Sequence, residues 1–514
     1  MAHKPQEHAQ QDGHRAADRK PVRRVVIAGG GTAGWMAAAV ISRILGKVLD
    51  ITLIESDEIG SVGVGEATIP TLMMFHQVLE LNEADVMRAT QASFKLGISF
   101  ENWRNVNEHY IHSFGVTGTD HWTAGFQHFW HKGRQRGLAS DFGDYCLELK
   151  AAQYGRFAHL PNDGLNYAYH LDATLYAKFL RTFSEGFGVK RIEGKIAQVI
   201  TDPANGHVSA LKLDNGALLE GDLFIDCTGF RSLLLGETMG VEYDDWSQWL
   251  FNDTAIAVQT ASSGEPVPYT RSIAHGAGWQ WQIPLQHRVG NGHVFSSKYM
   301  DIDEAKQILL NNLQGEPTTK PREIKFTPGQ RKQSWKGNVV AVGLSSGFLE
   351  PIESTSIHLI QRNLIRLMQM FPADGICQSD VDEYNTQVHS EIAHIRDFII
   401  LHYKVTNRTD TPYWQAAKEM TVPATLQHRI DLFRETGRVF RTEGELFAES
   451  SWLQVMFGQG MMPEQHHQTA DLMSDAELSK FLSGIRGGIE NTVRQMPSHQ
   501  AYLQQFCRAT PPQR

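Results

Sequence analysis

One stretch near the start constrains this chain more than any other. It reads Val25-Val26-Ile27-Ala28, then Gly29-Gly30-Gly31-Thr32-Ala33-Gly34, then Trp35-Met36-Ala37-Ala38-Ala39-Val40-Ile41, and after a short gap Ile51-Thr52-Leu53-Ile54 ending on Glu55. A short β-branched apolar run predicts a strand buried on both faces. The GxGxxG that follows predicts a tight turn into a helix starting at Trp35. In such a unit Gly29 permits the turn, Gly31 lets the backbone approach a pyrophosphate, and Gly34 lets the helix pack closely on the strand. Thr32 and Ala33 sit where free N–H groups and the positive end of the helix dipole meet the phosphates. Glu55 ends the second strand about 20 residues past the last glycine, where a carboxylate hydrogen-bonds a ribose diol. A lone GxGxxG is weak evidence. Strand, glycines, helix, second strand and terminal acid together predict an α/β fold with a Rossmann-type dinucleotide-binding module.

The 514 residues suffice for a large buried core and exceed one small domain. A formal charge of −9 argues against nucleic acid or an anionic membrane as the main partner. Cys146, Cys227, Cys377 and Cys507 are scattered without CxxC spacing, and no HExxH or HxxxH occurs among the 23 histidines. Reduced thiols and no metal site are therefore expected. Residues 1–21 are polar and read as a disordered tail, not a signal peptide. Arg23-Arg24 runs straight into the glycine-rich strand, so it does not read as an export signal. No apolar run approaches the ~20 residues that span a bilayer. A cytoplasmic enzyme is expected, with a homodimer left open.

Two distant segments favour FAD over NAD. Gly221-Asp222-Leu223-Phe224-Ile225-Asp226-Cys227-Thr228-Gly229 and Gly337-Asn338-Val339-Val340-Ala341-Val342-Gly343-Leu344 are apolar strands ending in small-residue turns. The second is followed by Ser345-Ser346-Gly347 and an expected helix. This order resembles FAD-dependent hydroxylases of the glutathione-reductase type, in which a late strand and helix approach the flavin ring. Gly343 and Leu349 are assigned to the cofactor on that basis. No second GxGxxG is present, so reduced flavin is expected from a separate NAD(P)H-dependent flavin reductase.

Four further segments resemble the flavin-dependent tryptophan halogenase family. They are Gly63-Val64-Gly65-Glu66-Ala67-Thr68-Ile69-Pro70, Phe94-Lys95-Leu96-Gly97-Ile98-Ser99-Phe100-Glu101-Asn102-Trp103, Trp279-Gln280-Trp281-Gln282-Ile283-Pro284, and Phe348-Leu349-Glu350-Pro351-Ile352-Glu353-Ser354-Thr355-Ser356-Ile357. Thr409-Asp410-Thr411-Pro412-Tyr413-Trp414 is also family-like. The resemblance covers about residues 22–425 and thins beyond 430. It implies that reduced FAD and O₂ form a C4a-hydroperoxide, that halide (chloride or bromide) attacks it, and that hypohalous acid travels to a lysine beside an electron-rich aromatic substrate.

Residue by residue, the resemblance makes Gly65, Glu66 and Ala67 part of a strap over the flavin. Lys95 becomes the lysine that hydrogen-bonds hypohalous acid or carries halogen as a haloamine. Glu353 becomes the second catalytic residue, polarising halogen on Lys95 or accepting the ring proton. Thr355 and Ser356 hold halide through backbone amides, although Ser356 stands where tryptophan halogenases usually have glycine. Trp279 and Trp281 wall the flavin from organic substrate. His112 and Phe114 sandwich the aromatic ring, and Ser354 joins the substrate side. Each has a plainer reading: a surface lysine, a helix cap at residues 353–355, core aromatics on one strand face.

The expected organisation is a tail at 1–21, an FAD module at 22–354 with substrate-side insertions at about 85–190 and 245–330, and a mainly helical part at 355–514 packed on the same unit. Two rivals share the glycine motif: a flavin monooxygenase that hydroxylates its substrate, and a non-catalytic flavoprotein. Neither needs Lys95, Glu353 or the tryptophan pair. Between Phe440 and Trp452 the chain lacks the tyrosine pair and Phe-Trp with which tryptophan halogenases clamp the amino-acid moiety. A bare indole, or a larger or carrier-attached indole or phenol, is therefore expected ahead of free tryptophan.

Overall fold

The computed structural model describes residues 20–59, 65–121 and 123–510. Most of the expected tail, and Gly63 and Val64 of the strap segment, lie outside these residues. Strand β1 (Arg24–Ala28) is the centre of a six-stranded sheet. Its neighbours are β2 (Asp50–Glu55) and the strand Leu223–Asp226, both parallel, with Ile27 opposite Leu53 on one side and Ile225 on the other. Val339–Ala341 and Lys190–Glu193 extend the sheet in parallel, and Trp335–Lys336 closes one edge antiparallel. Val25, Ile27 and Ala28 have no solvent exposure, as a strand covered on both faces requires.

Helix α1 (Thr32–Leu45) follows β1 and packs on β1, β2 and the helices Ala173–Gly186 and Ser356–Gln369. It begins at Thr32, three residues earlier than the sequence pattern placed it. The small residues Thr32, Ala33 and Gly34 are the first turn rather than the approach to it, and Gly31 is the N-cap.

A second sheet has seven strands in the order Arg322–Lys325, Thr254–Ala261, Arg288–Phe295, Gly278–Pro284, Thr270–His275, Gly97–Glu101, His109–Ser113. It is antiparallel except where Thr270–His275 runs parallel to Gly97–Glu101. A three-stranded sheet of Gly65–Ala67, Ala168–Asp172 and Ser93–Lys95 places Lys95 opposite Ala168.

From Ser356 onward the regular elements are helical, the longest being Gln378–Lys404, which buries Ile392, Ile395, Phe398, Ile399 and His402. The sequence placed the late helix from about residue 355, and the structure starts it at Ser356. Before it, Gly347–Phe348 forms a short strand and Pro351–Glu353 a 3-10 turn. Pro351 restrains Glu350 to extended backbone, and Ser354 adopts φ +60°, which breaks a right-handed helix. No helix among the described residues is long and apolar enough to cross a membrane. No group of His, Cys, Asp or Glu among them is arranged to hold a metal ion.

Candidate active site

A cavity of about 1030 Å³ runs from the glycine turn, past Glu55, to Gly343–Leu349 and Trp281. That is the upper end of the ~300–1,000 Å³ typical of small-molecule sites, a size for a dinucleotide rather than a mononucleotide. The glycine turn fits such a group. A Cβ on Gly31 would meet no atom within 4 Å and would project into open space, so only its absence leaves the helix N-terminus bare. Gly29 takes φ +110°, where a Cβ would lie 2.3 Å from Cys227 O; on Gly34 it would lie 1.9 Å from Gly29 O. Gly30, which the sequence pattern left without a task, matters as much: its Cβ would lie 1.6 Å from Glu55 Oε2. Glu55 is held by Arg191 Nε at 2.5 Å and Trp35 Nε1 at 3.3 Å. Thr32, Ala33, Gly65, Glu66, Ala67, Gly343 and Leu349 all line the same cavity. Burial raises the Glu66 carboxyl to about 7.

The remaining sequence-predicted residues divide into those that line the cavity, and so form its wall, and those that do not. Trp281, Ser354 and Ser356 line the cavity; Lys95, Glu353, Thr355, His112, Phe114 and Trp279 do not. Ser354 is the junction. It lines the cavity, and its Oγ accepts a 2.8 Å hydrogen bond from Lys95 Nζ, which also donates to Thr68 O at 3.0 Å. Lys95 has no solvent exposure, and its Nζ lies 5.2 Å from the Phe114 ring centroid. Burial lowers its pKa to about 7, and the charge of Glu353 opposes that fall. Backbone strain at a non-glycine residue such as Ser354 persists only where the surroundings enforce it, and such residues cluster at working sites. Thr355 is the N-cap of Ser356–Gln369 and Ser356 its first residue, with no side-chain cap. The helix-cap reading of this segment is thus not what the structure contains, and Ser356 and Ile357 of the first turn line the cavity.

Glu353 is 1 % exposed and enclosed by histidines. His112 Nδ1 lies 2.9 and 3.0 Å from its two oxygens, and His402 Nε2 lies 2.8 Å from Oε1. Burial pushes the carboxyl upward, but the charge and hydrogen bond of His112, with those of His402, outweigh it and hold Glu353 at about 2. His402 stacks on Phe100 at 4.5 Å, and its Nδ1 is 3.1 Å from Tyr110 OH. His112 is flanked by Phe398 and Phe447, at 5.5 and 6.3 Å between ring centroids. Phe447 in turn stacks on Phe398 at 3.8 Å, and Trp452 meets Phe398 edge-on at 4.8 Å. His112 meets Glu353 through Nδ1, and the Phe114 ring lies beside Lys95 Nζ.

Several contributors escaped sequence reasoning. Gln454 clamps the segment after His112, accepting from Ser113 N at 2.7 Å and donating to Gly115 O at 2.8 Å. Trp279, expected to face the cavity beside Trp281, lies behind it and donates Nε1 to Glu350 Oε2 at 2.9 Å. Asn252 and Tyr403 bond the same oxygen. The Glu350–Trp279 bond ties the wall strand to the loop carrying Glu353 and Ser354.

Comparison with known proteins agrees with this geometry. The family profile described as tryptophan halogenase matches residues 24–475. The chain is 33 % identical to tryptophan 7-halogenase RebH of Lentzea aerocolonigenes, over 94 % of this chain and 98 % of that protein. Xcc4156, a flavin-dependent halogenase from Xanthomonas campestris, superposes with a TM-score of 0.95 at 63 % identity, covering 96 % of this chain and all of that one. BrvH, a flavin-dependent halogenase from Brevundimonas sp. BAL3, gives 0.91 at 45 % identity, covering 95 % and 99 %. The glycine cradle, the cavity wall and these likenesses together place the chain in the tryptophan halogenase family, among the flavin-dependent halogenases.

Proposed function

We propose that this chain halogenates an indole-type arene, with Lys95 presenting the halogen to a substrate held on the far side of the wall from FAD. The observation that carries this reading is Lys95 itself: a fully buried lysine bonded to Ser354, a side chain that also lines the cavity. Bound flavin, reduced by a separate reductase, supplies hypohalous acid from O₂ and halide. Gly29, Gly31, Gly34 and the N-terminus of α1 hold the pyrophosphate, Glu55 the ribose, and the strap at Gly65–Ala67 the ring. The first-turn amides at Thr355 and Ser356 hold halide, as a helix N-terminus does for anions. Trp281 fills the wall and keeps organic substrate away, with Trp279 and Glu350 fixing it from behind.

With a pKa near 7, Lys95 is present as ammonium and as amine at neutral pH. The ammonium hydrogen-bonds and polarises hypohalous acid; the amine accepts halogen. The Glu353 carboxylate faces this region, where its charge favours the ammonium and the cationic arene formed on attack. Phe398, Phe447 and Trp452 offer an apolar aromatic wall to a flat ring. The charged groups nearby are already occupied: Glu445 pairs with Arg429 at 2.7 Å, and Arg441 donates to Glu445 O. That leaves little to clamp an amino-acid zwitterion and favours indole over tryptophan. The test is Lys95→Ala. FAD binding should survive and halogenated product should disappear; near-wild-type halogenation would overturn the assignment.

A further inference from the structure

His112 and Glu353 differ in what remains free on each. Nδ1 of His112 meets both oxygens of Glu353, at 2.9 and 3.0 Å. A carboxylate only accepts, so Nδ1 carries the hydrogen, and in the neutral ring Nε2 keeps the lone pair. Nε2 is buried and has no hydrogen-bond partner in the protein, on a residue only 2 % exposed. A buried polar atom without a partner is costly, and here it lies on a ring flanked by Phe398 and Phe447. Glu353 is the reverse case: both oxygens face His112, and Oε1 also faces His402 at 2.8 Å.

We infer that His112 Nε2 is the atom that takes the ring proton during aromatic substitution, and that Glu353 is a positioning residue that fixes the accepting tautomer and steadies the imidazolium. A buried carboxylate behind an imidazole does this work in other enzymes. Both Glu353 oxygens are engaged by the two histidines, which suits it to positioning. This rests on the halogenase reading above.

The step balances as follows. The ring's electron pair forms the C–X bond while the O–X bond of hypohalous acid breaks toward oxygen. The departing hydroxide takes a proton from the Lys95 ammonium and leaves as water. The ring C–H bond then breaks, its electron pair restores aromaticity, and the proton passes to His112 Nε2. Through water that proton returns to the Lys95 amine. The sum is arene plus hypohalous acid giving haloarene and water.

The test uses ring-deuterated and ordinary indole with bromide, FAD and a flavin reductase, comparing wild type with His112→Phe and the near-isosteric His112→Gln. Flavin binding reports that each variant is folded. Removal of a general base should lower bromoindole formation about 100-fold and raise the ring-hydrogen isotope effect from about 1 to above about 2. Glu353→Gln, which removes the charge that steadies the imidazolium, should show the same isotope effect, and Glu353→Asp should recover part of the rate. The proposal is overturned if His112→Gln, with flavin bound, stays within about threefold of wild type at an isotope effect near 1, or if only Glu353→Gln raises the effect. Wild-type bromoindole is read in the same assay, so that failure leaves halogenation standing.

Discussion

Lys95 is a functional group that the fold would be more stable without. Burial takes its pKa from 10.5 to about 7. At ~1.36 kcal/mol per pKa unit, the charged form is disfavoured by about 5 kcal/mol in the folded chain relative to the unfolded one. Lys95→Met keeps the length and apolar stem but removes the charge. It also strands the Thr68 carbonyl and deprives Ser354 of a partner, which costs about 1–3 kcal/mol. The net gain is about 2 kcal/mol near neutral pH. With ~2.1 cal/mol/K of unfolding entropy per residue, that raises Tm by about 2 °C for a chain of this length. The gain must depend on pH in one direction. Between pH 7 and 10.5 the native chain binds fewer protons at Lys95 than the unfolded chain does. The wild-type penalty is therefore complete below pH 7 and fades as pH rises toward 10.5. Melting curves followed by circular dichroism at pH ~6.5 and ~9.5 should show the variant ahead at the lower pH and its lead gone at the higher. A variant that melts below wild type at both, or a gap indifferent to pH, would refute the reasoning.

Gly34→Val should abolish FAD binding, measured by flavin retention on purification, because its first carbon would fall 1.9 Å from Gly29 O; retained flavin would contradict the packing argument. The purified protein should not consume NADH catalytically alone, since its sequence holds one GxGxxG and the proposed function gives that one to the flavin; rapid NADH oxidation without added reductase would favour the monooxygenase rival. Under one halide, indole should turn over faster than free tryptophan; a clear preference for tryptophan would mean that other residues rebuild the amino-acid clamp.

The dinucleotide unit was legible because its signals are local. Apolar β1, the glycine turn and the small residues of α1 each dictate their own geometry, and only the first turn of the helix was placed late. Lys95 was singled out by resemblance alone, and its neighbours Phe94, Leu96, Ile98 and Phe100 are buried with it. The enclosure of Glu353 by histidines was not legible. His112 and Glu353 are 241 residues apart, and His402 sits in the last turn of a 27-residue helix, where it reads as an ordinary terminal residue. Depth was also hidden. Alternation put Trp279 and Trp281 on one strand face but could not say that Glu350 would draw Trp279 behind the wall. Gly30 was missed because its constraint comes from the Glu55 side chain on the next strand, a contact that spacing does not reveal.

The central claim is that the oxidant made at the flavin ends as halogen on carbon. It is tested most directly by incubating the protein with FAD, a flavin reductase, NADH, bromide and a panel of indoles, and weighing the products. The account predicts a product in which bromine has replaced one ring hydrogen, with bromine's paired isotope peaks and dependence on both bromide and the reductase. A product that has gained oxygen instead, formed equally well without halide, would contradict it.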